Sequence, residues 1–417
     1  MSKSIFDLDE YKRYRKQWET RLKELNTRAS YYDGSAYAGS REGVIWSMGP
    51  RVAKEIKPLF LPLARAVDID AGIIPGGWEF DHDDARAEVW AQARDALFDM
   101  SSWDINGVLF VHYGAMYGVS GLRVADVWTD GERRVLLQPS NPTCFMLVKD
   151  DDYALKPSLA FWVEIRENEA GNQYEYAEVI TPDAIKTYQD GQPFGYSGRE
   201  SEYANSQKAI PIFECLHLND GTTLGECTYQ KSIPMLNEVN TMATRLSTVI
   251  ARNVDPQWVT SGAEPTDLQR GSDYMWFLPE GAEVKAAAPT IDIPGVLEFI
   301  REIKNGVEES LPELSFDDIK KSGQIATQTV ELQLIDLIIK IQRTRPNYDR
   351  ALVDAMKAAG RIGAEMGLAE IAALDDPELI LDGTREILPM TPQARIALRM
   401  SEIELEQMEA GTAESVT

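Results

Sequence analysis

Residues 210–256 read IPIFECLHLNDGTTLGECTYQKSIPMLNEVNTMATRLSTVIARNVDP, and along this stretch the chain changes character. Ile210, Pro211, Ile212 and Phe213 make a short apolar run of strand type, and a glycine-containing turn follows. Tyr229, Ile233, Leu236, Val239, Ala243, Leu246 and Ile250 then recur at three- and four-residue steps. Glu238, Thr241, Arg245, Thr248 and Arg252 fall off that stripe. The spacing predicts one amphipathic helix of about 24 residues, a rod of roughly 36 Å, closed by Pro256.

Upstream, the expectation is a mixed α+β unit. In residues 6–27, Tyr11, Tyr14, Trp18, Leu22 and Leu25 recur with helical spacing, and Tyr31-Tyr32-Asp33-Gly34 ends the pattern. Residues 44–66 read as further helix, jointed at Pro50, Pro58 and Pro62. Residues 84–101 give an amphipathic helix with Val89, Trp90, Ala93, Leu97 and Phe98 on one side. From 108 to 188 the period moves toward two, and 121–128, 134–138, 160–166 and 174–180 read as strands. Residues 191–205, rich in Gly, Ser and Tyr, read as a loop.

Downstream, residues 254–292 form an insertion with strand-like segments at Gln257-Trp258-Val259 and at 274–278. Its aromatics Trp258, Tyr274, Trp276 and Phe277 are too many to hide in so small a core, so some should face a neighbour. A second helix after Pro294 carries Leu297, Ile300, Ile303, Val307 and Leu311 on one face and stops at Pro312. Residues 313–324 are a polar loop, and from Ile325 a long helix runs to about Met366. Pro346 should kink it by deleting a backbone hydrogen bond. Its first turns are apolar on two faces, with Val330, Leu334, Leu337, Ile338 and Ile341 on one and Leu332, Ile335 and Ile339 on the other. Such a helix is buried either inside its own core or between subunits. The tail after Gly411 is small and polar.

The 417 residues exceed what one core usually holds, and 44% are hydrophobic, so a multi-part globular chain is expected. Lys plus Arg total 42 against 67 Asp plus Glu, a formal charge of −25. That balance opposes wrapping nucleic acid by phosphate neutralisation and suits a surface that DNA slides past. Cys144, Cys215 and Cys227 form no CxxC pair and read as reduced thiols. The N-terminus has no apolar core of a signal peptide and no run is long enough to span a bilayer. A cytoplasmically made protein without membrane contact is expected.

Enzymatic parts are missing from the sequence. There is no GxxxxGK[ST], and no GxSxG, HExxH or GxGxxG in a plausible context. His82, His112 and His217 stand far apart. The Asp81-His82-Asp83-Asp84 run reads as a solvated helix N-terminus whose carboxylates favour the macrodipole. Asp317-Asp318 and Asp375-Asp376 read as turn residues. No catalytic residue, metal ligand or cofactor is assigned.

The order of parts from Ile210 onward resembles the central segment of the portal proteins of tailed double-stranded-DNA bacteriophages, in particular the siphophage-type family. The residues carrying the likeness are Ile210-Pro211-Ile212, Leu236-Asn237-Glu238-Val239-Asn240, Pro256, Leu278-Pro279-Glu280-Gly281, and Ser322-Gly323 before a helix with Ala326. The resemblance implies an α+β portal architecture. Residues 1–225 would be the wing, 226–253 a stem helix, 254–292 the clip, and 293–312 the second stem helix. Residues 313–325 would be the tunnel loop, 326–388 the long kinked helix with the rest of the wing, and 389–417 a short crown. It further implies a ring of about twelve copies, set at one capsid vertex of the virion after assembly in the host cytoplasm. Double-stranded DNA would pass through it without sequence preference. Its partners would be the terminase large subunit, the major capsid or scaffolding protein, and a head-completion or adaptor protein.

On this reading Lys320, Lys321, Ser322 and Gln324 line the tightest part of a DNA channel, and Trp258, Tyr274, Trp276 and Phe277 dock partners. The lysines also fit an ordinary solvated loop in which they balance Asp317 and Asp318. The portal reading is a structural, non-enzymatic one. The alternative is a soluble acidic cytoplasmic hydrolase or transferase with a site scattered over the α+β half, and particle size discriminates between them.

Overall fold

The computed structural model describes residues 4–37, 60–80, 85–129, 132–150, 156–168, 170–195, 200–205, 207–254, 257–261, 283–287, 292–315, 334–383, 385 and 387. After 3₁₀ turns at Ile5–Asp7 and Lys12–Tyr14 come helices α1 (Arg15–Tyr32), α2 (Leu63–Ile73), α3 (Ala85–Met100) and α4 (Trp103–Tyr117). Strands β1 (Val119–Thr129), β2 (Glu132–Ser140), β3 (Phe145–Val148), β4 (Leu159–Glu167), β5 (Gln173–Ile180) and β6 (Ala184–Gln189) follow. Next are β7 (Gln192–Pro193), β8 (Glu202–Ala204), β9 (Ile212–Leu216), α5 (Ile233–Val254), β10 (Gln257–Ser261) and β11 (Glu283–Ala287). Last are α6 (Ile293–Glu309), α7 (Ile335–Met366) and α8 (Ala369–Ala372). The class is α+β, as expected. The chain divides into two units, one made of Met1–Lys12, Ile69–Gly225 and Asp336–Thr417, the other of Arg13–Asp68 and Glu226–Ile335.

In the first unit, β1 pairs antiparallel with both β2 and β9, in the order β2-β1-β9. A second antiparallel sheet runs β3-β4-β5-β6-β7, with β8 also on β6. Phe145, Ala160, Trp162, Ile180, Ile210 and Ile212 join the two sheets in one buried cluster. The apolar run at Ile210 is therefore core, and its strand sits two residues later than read. Gly121 is required there, because a Cβ would meet the Phe145 ring at 2.5 Å.

Four sequence expectations change. The stripe in residues 6–27 is not one helix. Ser4 and Asp7 close a capping box on a 3₁₀ turn, and Tyr11 packs its edge on Phe161 and reaches the Tyr188 hydroxyl at 3.4 Å. Only Trp18 and Leu25 serve α1 itself. Residues 103–117 are helix where alternation was expected from 108, because α4 is apolar nearly all round and shows no amphipathic period. It starts behind Ser102 at φ 48° and ends on Gly118 at φ 84°, a left-handed cap that glycine adopts without strain. Val89, placed on the apolar side of α3, is exposed, while Trp90, Ala93 and Leu97 are buried. Residues 191–205, read as loop, include the short strands β7 and β8.

In the second unit, α5 and α6 pack against each other, and β10 pairs with β11 in the register Trp258↔Ala286. The helix over 44–66 and the strand over 274–278 lie outside the described residues, except that α2 begins at Leu63. Within α7 the helix continues through Pro346.

Candidate functional site

The motif Leu236-Asn237-Glu238-Val239-Asn240 sits in the first turns of α5. Leu236, Val239 and Asn240 are buried. Asn237 Oδ1 accepts the Tyr37 hydroxyl at 2.7 Å and its Nδ2 donates to Tyr31 Oη at 3.2 Å. Asn240 bonds both backbone groups of Phe60, accepting N–H at 3.1 Å and donating to the carbonyl at 3.2 Å. The two amides thus satisfy backbone and tyrosine groups that would otherwise be orphaned in the interior. Across from them, Ser232 and Ser310 share a hydroxyl hydrogen bond of 2.7 Å, tying the start of α5 to the end of α6. Lys304 lies 5.1 Å over the Phe60 ring, a cation–π contact.

Burial fades along this pair of helices. Val307 in the last turn of α6 and Leu311 just beyond it are fully buried, whereas Leu297 and Phe299 in its first turns are exposed, as is Ile250 on α5. The predicted apolar face of α6 is therefore core at one end and open at the other.

In the first unit, α7 carries a buried polar cluster. Asp70 on α2 and His217 just after β9 are 1% and 0% exposed in their side chains, and Nε2 of the histidine lies 3.4 Å from Asp70 Oδ2. Lys340 of α7 donates to the same oxygen at 3.1 Å. His217 Nδ1 bonds the Tyr348 hydroxyl at 3.0 Å. Burial holds His217 below its ordinary pKa; Asp70 opposes the shift and Lys340 adds to it. Burial pushes the Tyr348 hydroxyl and the Cys215 thiol well up.

One turn on, Asp349 takes Arg385 in a fork, at 2.6 and 2.9 Å, and accepts the Trp78 indole N–H at 3.0 Å. Arg345 donates to the carbonyls of Ile73 and Arg385. Burial lowers its pKa to about 10, with Arg385 acting in the same sense and Asp349 against it. These bonds bracket Pro346, where the ladder loses a donor, and fix the helix on both sides of it.

A His–Asp–Tyr grouping invites a catalytic reading, but its burial argues for a clamp. The cavity of about 270 Å³ between the β9 region and α7 is lined by Gln207, Ile210, Phe213, Arg361, Ile362 and Glu365, and contains none of the cluster. Among the described residues no group of three or more His, Cys, Asp or Glu could hold a metal. None of their helices is long and apolar enough to cross a membrane. Asp376 caps the Glu378 N–H at 2.9 Å and Asp375 meets Arg361 at 3.6 Å, which is turn chemistry.

Of the residues singled out from sequence, Trp258 lies in β10. Tyr274, Trp276, Phe277, Lys320, Lys321, Ser322 and Gln324 lie outside the described residues, as do Asp81, His82 and Asp317. The α7 clamp was not found from sequence. Its members are scattered, and only the polar Lys340 amid apolar neighbours signalled it.

No curated protein matches the chain. Among solved structures, the virion of a native gene transfer agent particle is similar with a TM-score of 0.40 at 11% identity, covering 93% of this chain and 95% of that one. The neck of an empty gene transfer agent particle, computed with C6 symmetry, gives 0.39 at 12% identity, with 84% and 89% covered. The family described as phage portal protein, SPP1 Gp6-like, matches over residues 11–311. That match takes in the sheets of the first unit, the asparagine-anchored α5, the β10–β11 pair and α6, well over half of the chain, and the chain belongs to this family of phage portal proteins.

Proposed function

We propose that the chain is one subunit of a twelve-membered ring at a single capsid vertex, forming the channel through which double-stranded DNA is packaged and ejected. The observation that carries this is the family match over residues 11–311, a range within which α5, the β10–β11 pair and α6 all fall. On this reading α5 and α6 are the stem, residues 254–292 the clip, and residues 313–325 the tunnel loop that precedes α7. Residues 1–225 and 326–388 make the wing, and residues 389–417 the crown. The clip, with Trp258, Tyr274, Trp276 and Phe277, docks the terminase large subunit and then a head-completion protein, and the wing meets capsid or scaffolding protein. The protein catalyses nothing itself. Assembly takes place in the host cytoplasm and the mature location is the virion.

The test is particle size. Twelve chains of 46.7 kDa make a ring of about 560 kDa, which light scattering on a sizing column separates from a monomer or dimer, and negative stain should show a central hole. A monodisperse monomer that hydrolyses ATP or DNA above contaminant level would overturn the reading. For the clip, Trp276→Ala should leave rings intact and weaken capture of the terminase large subunit. If that variant is insoluble, the tryptophan is core and its docking role falls.

A further inference from the structure

Helix α4 and helix α7 pack through Gly114 and Phe110 on one side and Tyr348 on the other. The Phe110 and Tyr348 rings meet edge-on at 5.2 Å, and a Cβ at Gly114 would strike the tyrosine hydroxyl. At 100° per residue, Ile105 and Val108 lie on the side of α4 facing away from Gly114, and Ile339, Arg343 and Arg350 on the side of α7 facing away from Tyr348. The two outward faces therefore point in opposite directions from one packed pair, within one unit of the chain.

Both faces are open and carry exposed aliphatic side chains. Ile105 is 72% exposed and Val108 44%; Ile335 and Ile339 are each 47% exposed. Lone exposed aliphatics need no explanation, but two faces with helical spacing on opposite sides of a single layer do. Their charges are opposite. Asp104 adjoins Ile105, and Asp99 stands across the α3–α4 corner. Arg343 and Arg350 run down the middle of the α7 stripe, with Asp336 and Asp354 at its margins. Among the described residues, Asp104, Arg343 and Arg350 have no ion-pair partner, whereas Asp95 is already taken by Arg94.

We propose that the outward face of α4, with Asp104, Ile105 and Val108, docks onto the outward face of α7, with Ile339, Arg343 and Arg350, of a second copy of this chain. A contact between two different patches on opposite sides of one subunit is heterologous, so each copy offers both halves and copies join head to tail, which gives a ring where the rotation from copy to copy closes and an open filament where it does not. This rests on the ring reading above and adds which surfaces make it. The apolar pairs supply the attraction; the carboxylate-to-guanidinium pairing sets direction and excludes face-to-face dimers, in which like charges would meet.

The test uses the full-length chain, with mass read by light scattering across a concentration series and folding checked by circular dichroism. In Ile105→Glu/Val108→Glu the ring peak should give way to a folded 46.7 kDa species. Asp99→Arg/Asp104→Arg, or Arg343→Asp/Arg350→Asp, should each raise the half-assembly concentration about tenfold or more, and combining the two sets should restore it. A wild-type ring that survives every variant overturns the proposal and leaves the faces to capsid or scaffolding protein. One-sided losses without restoration overturn the pairing of α4 with α7. A wild-type chain that remains monomeric overturns the ring reading itself, which is a different failure.

Discussion

Lys340 Nζ lies 3.1 Å from Asp70 Oδ2, two charges 270 positions apart that close inside the first unit with side chains 13% and 1% exposed. Removing one partner of so buried a pair strands the other charge, which costs about 3–5 kcal/mol, whereas replacing both by apolar groups costs far less. Asp70→Asn should therefore be strongly destabilising in urea unfolding, and Asp70→Leu/Lys340→Met should lose less than Asp70→Asn alone. Equal losses would mean that the pair is incidental to the packing of α7.

His217 is buried and neutral, with its folded pKa below the ordinary value of 6.5. The unfolded chain then binds the proton more readily, so the stability gained from the neutral ring is complete above pH 6.5 and drains away as pH falls toward the depressed folded value. Facing the ring are Asp70 from α2 and both Tyr348 and Lys340 from α7. Midpoints of thermal unfolding should fall between pH 7 and 5 more steeply in wild type than in His217→Gln. Lys340→Met removes a cation that disfavours protonation, so the folded pKa rises toward 6.5 and the fall should become shallower and end at a higher pH. Parallel profiles for wild type and His217→Gln would place the titrating group elsewhere.

How much of this was legible beforehand depended on whether a signal was local. The α5 stripe and the helix after Pro294 announce themselves through a helical period, and the strands over 121–128 and 160–166 through apolar and aromatic residues set between turn signals, with Ala160 to Val163 buried on both faces. Helix α4 does not, since its outward residues Ile105 and Val108 are as apolar as the buried Phe110, Val111 and Ala115 and leave no polar stripe for contrast. Tyr11 mimicked a helical position because it serves another element, the Phe161 sheet. The clamp joins Asp70, His217, Lys340 and Tyr348 from three separate segments, and no spacing rule connects them.

Gly114 tests the α4–α7 contact directly. A Cβ there would lie 1.8 Å from the Tyr348 hydroxyl and 2.9 Å from its Cζ, inside a fully buried contact. Gly114→Ala should gain helix propensity of up to about 1 kcal/mol yet be destabilised overall, because overpacking typically costs about 1–3 kcal/mol and occasionally more. Tyr348→Phe removes the nearest clashing atom but also the His217 hydrogen bond. The single variants should each be destabilised, and Gly114→Ala/Tyr348→Phe should be more stable than the sum of the two losses allows. Strict additivity would show that the two helices do not meet as described.

A chain of charge −25 repels DNA over most of its surface, so phosphates slide without sticking, yet a motor-driven duplex must be centred where the bore is narrowest. Lys320 and Lys321, beside Ser322 and Gln324, are the cationic residues of the segment preceding α7, which the portal reading makes the tunnel loop. Each would meet phosphate as a mobile point charge, weakly, without sequence preference and subject to salt screening. Lys320→Ala/Lys321→Ala should form rings of wild-type mass, because the proposed α4 and α7 contacts are untouched, while packaging proceeds more slowly or packaged DNA is retained less well. Raising salt should narrow the gap between variant and wild type, since it screens what the variant lacks. A double variant that fills capsids at the wild-type rate and holds the genome through a nuclease challenge would remove these lysines from translocation and return the loop to an ordinary solvated turn.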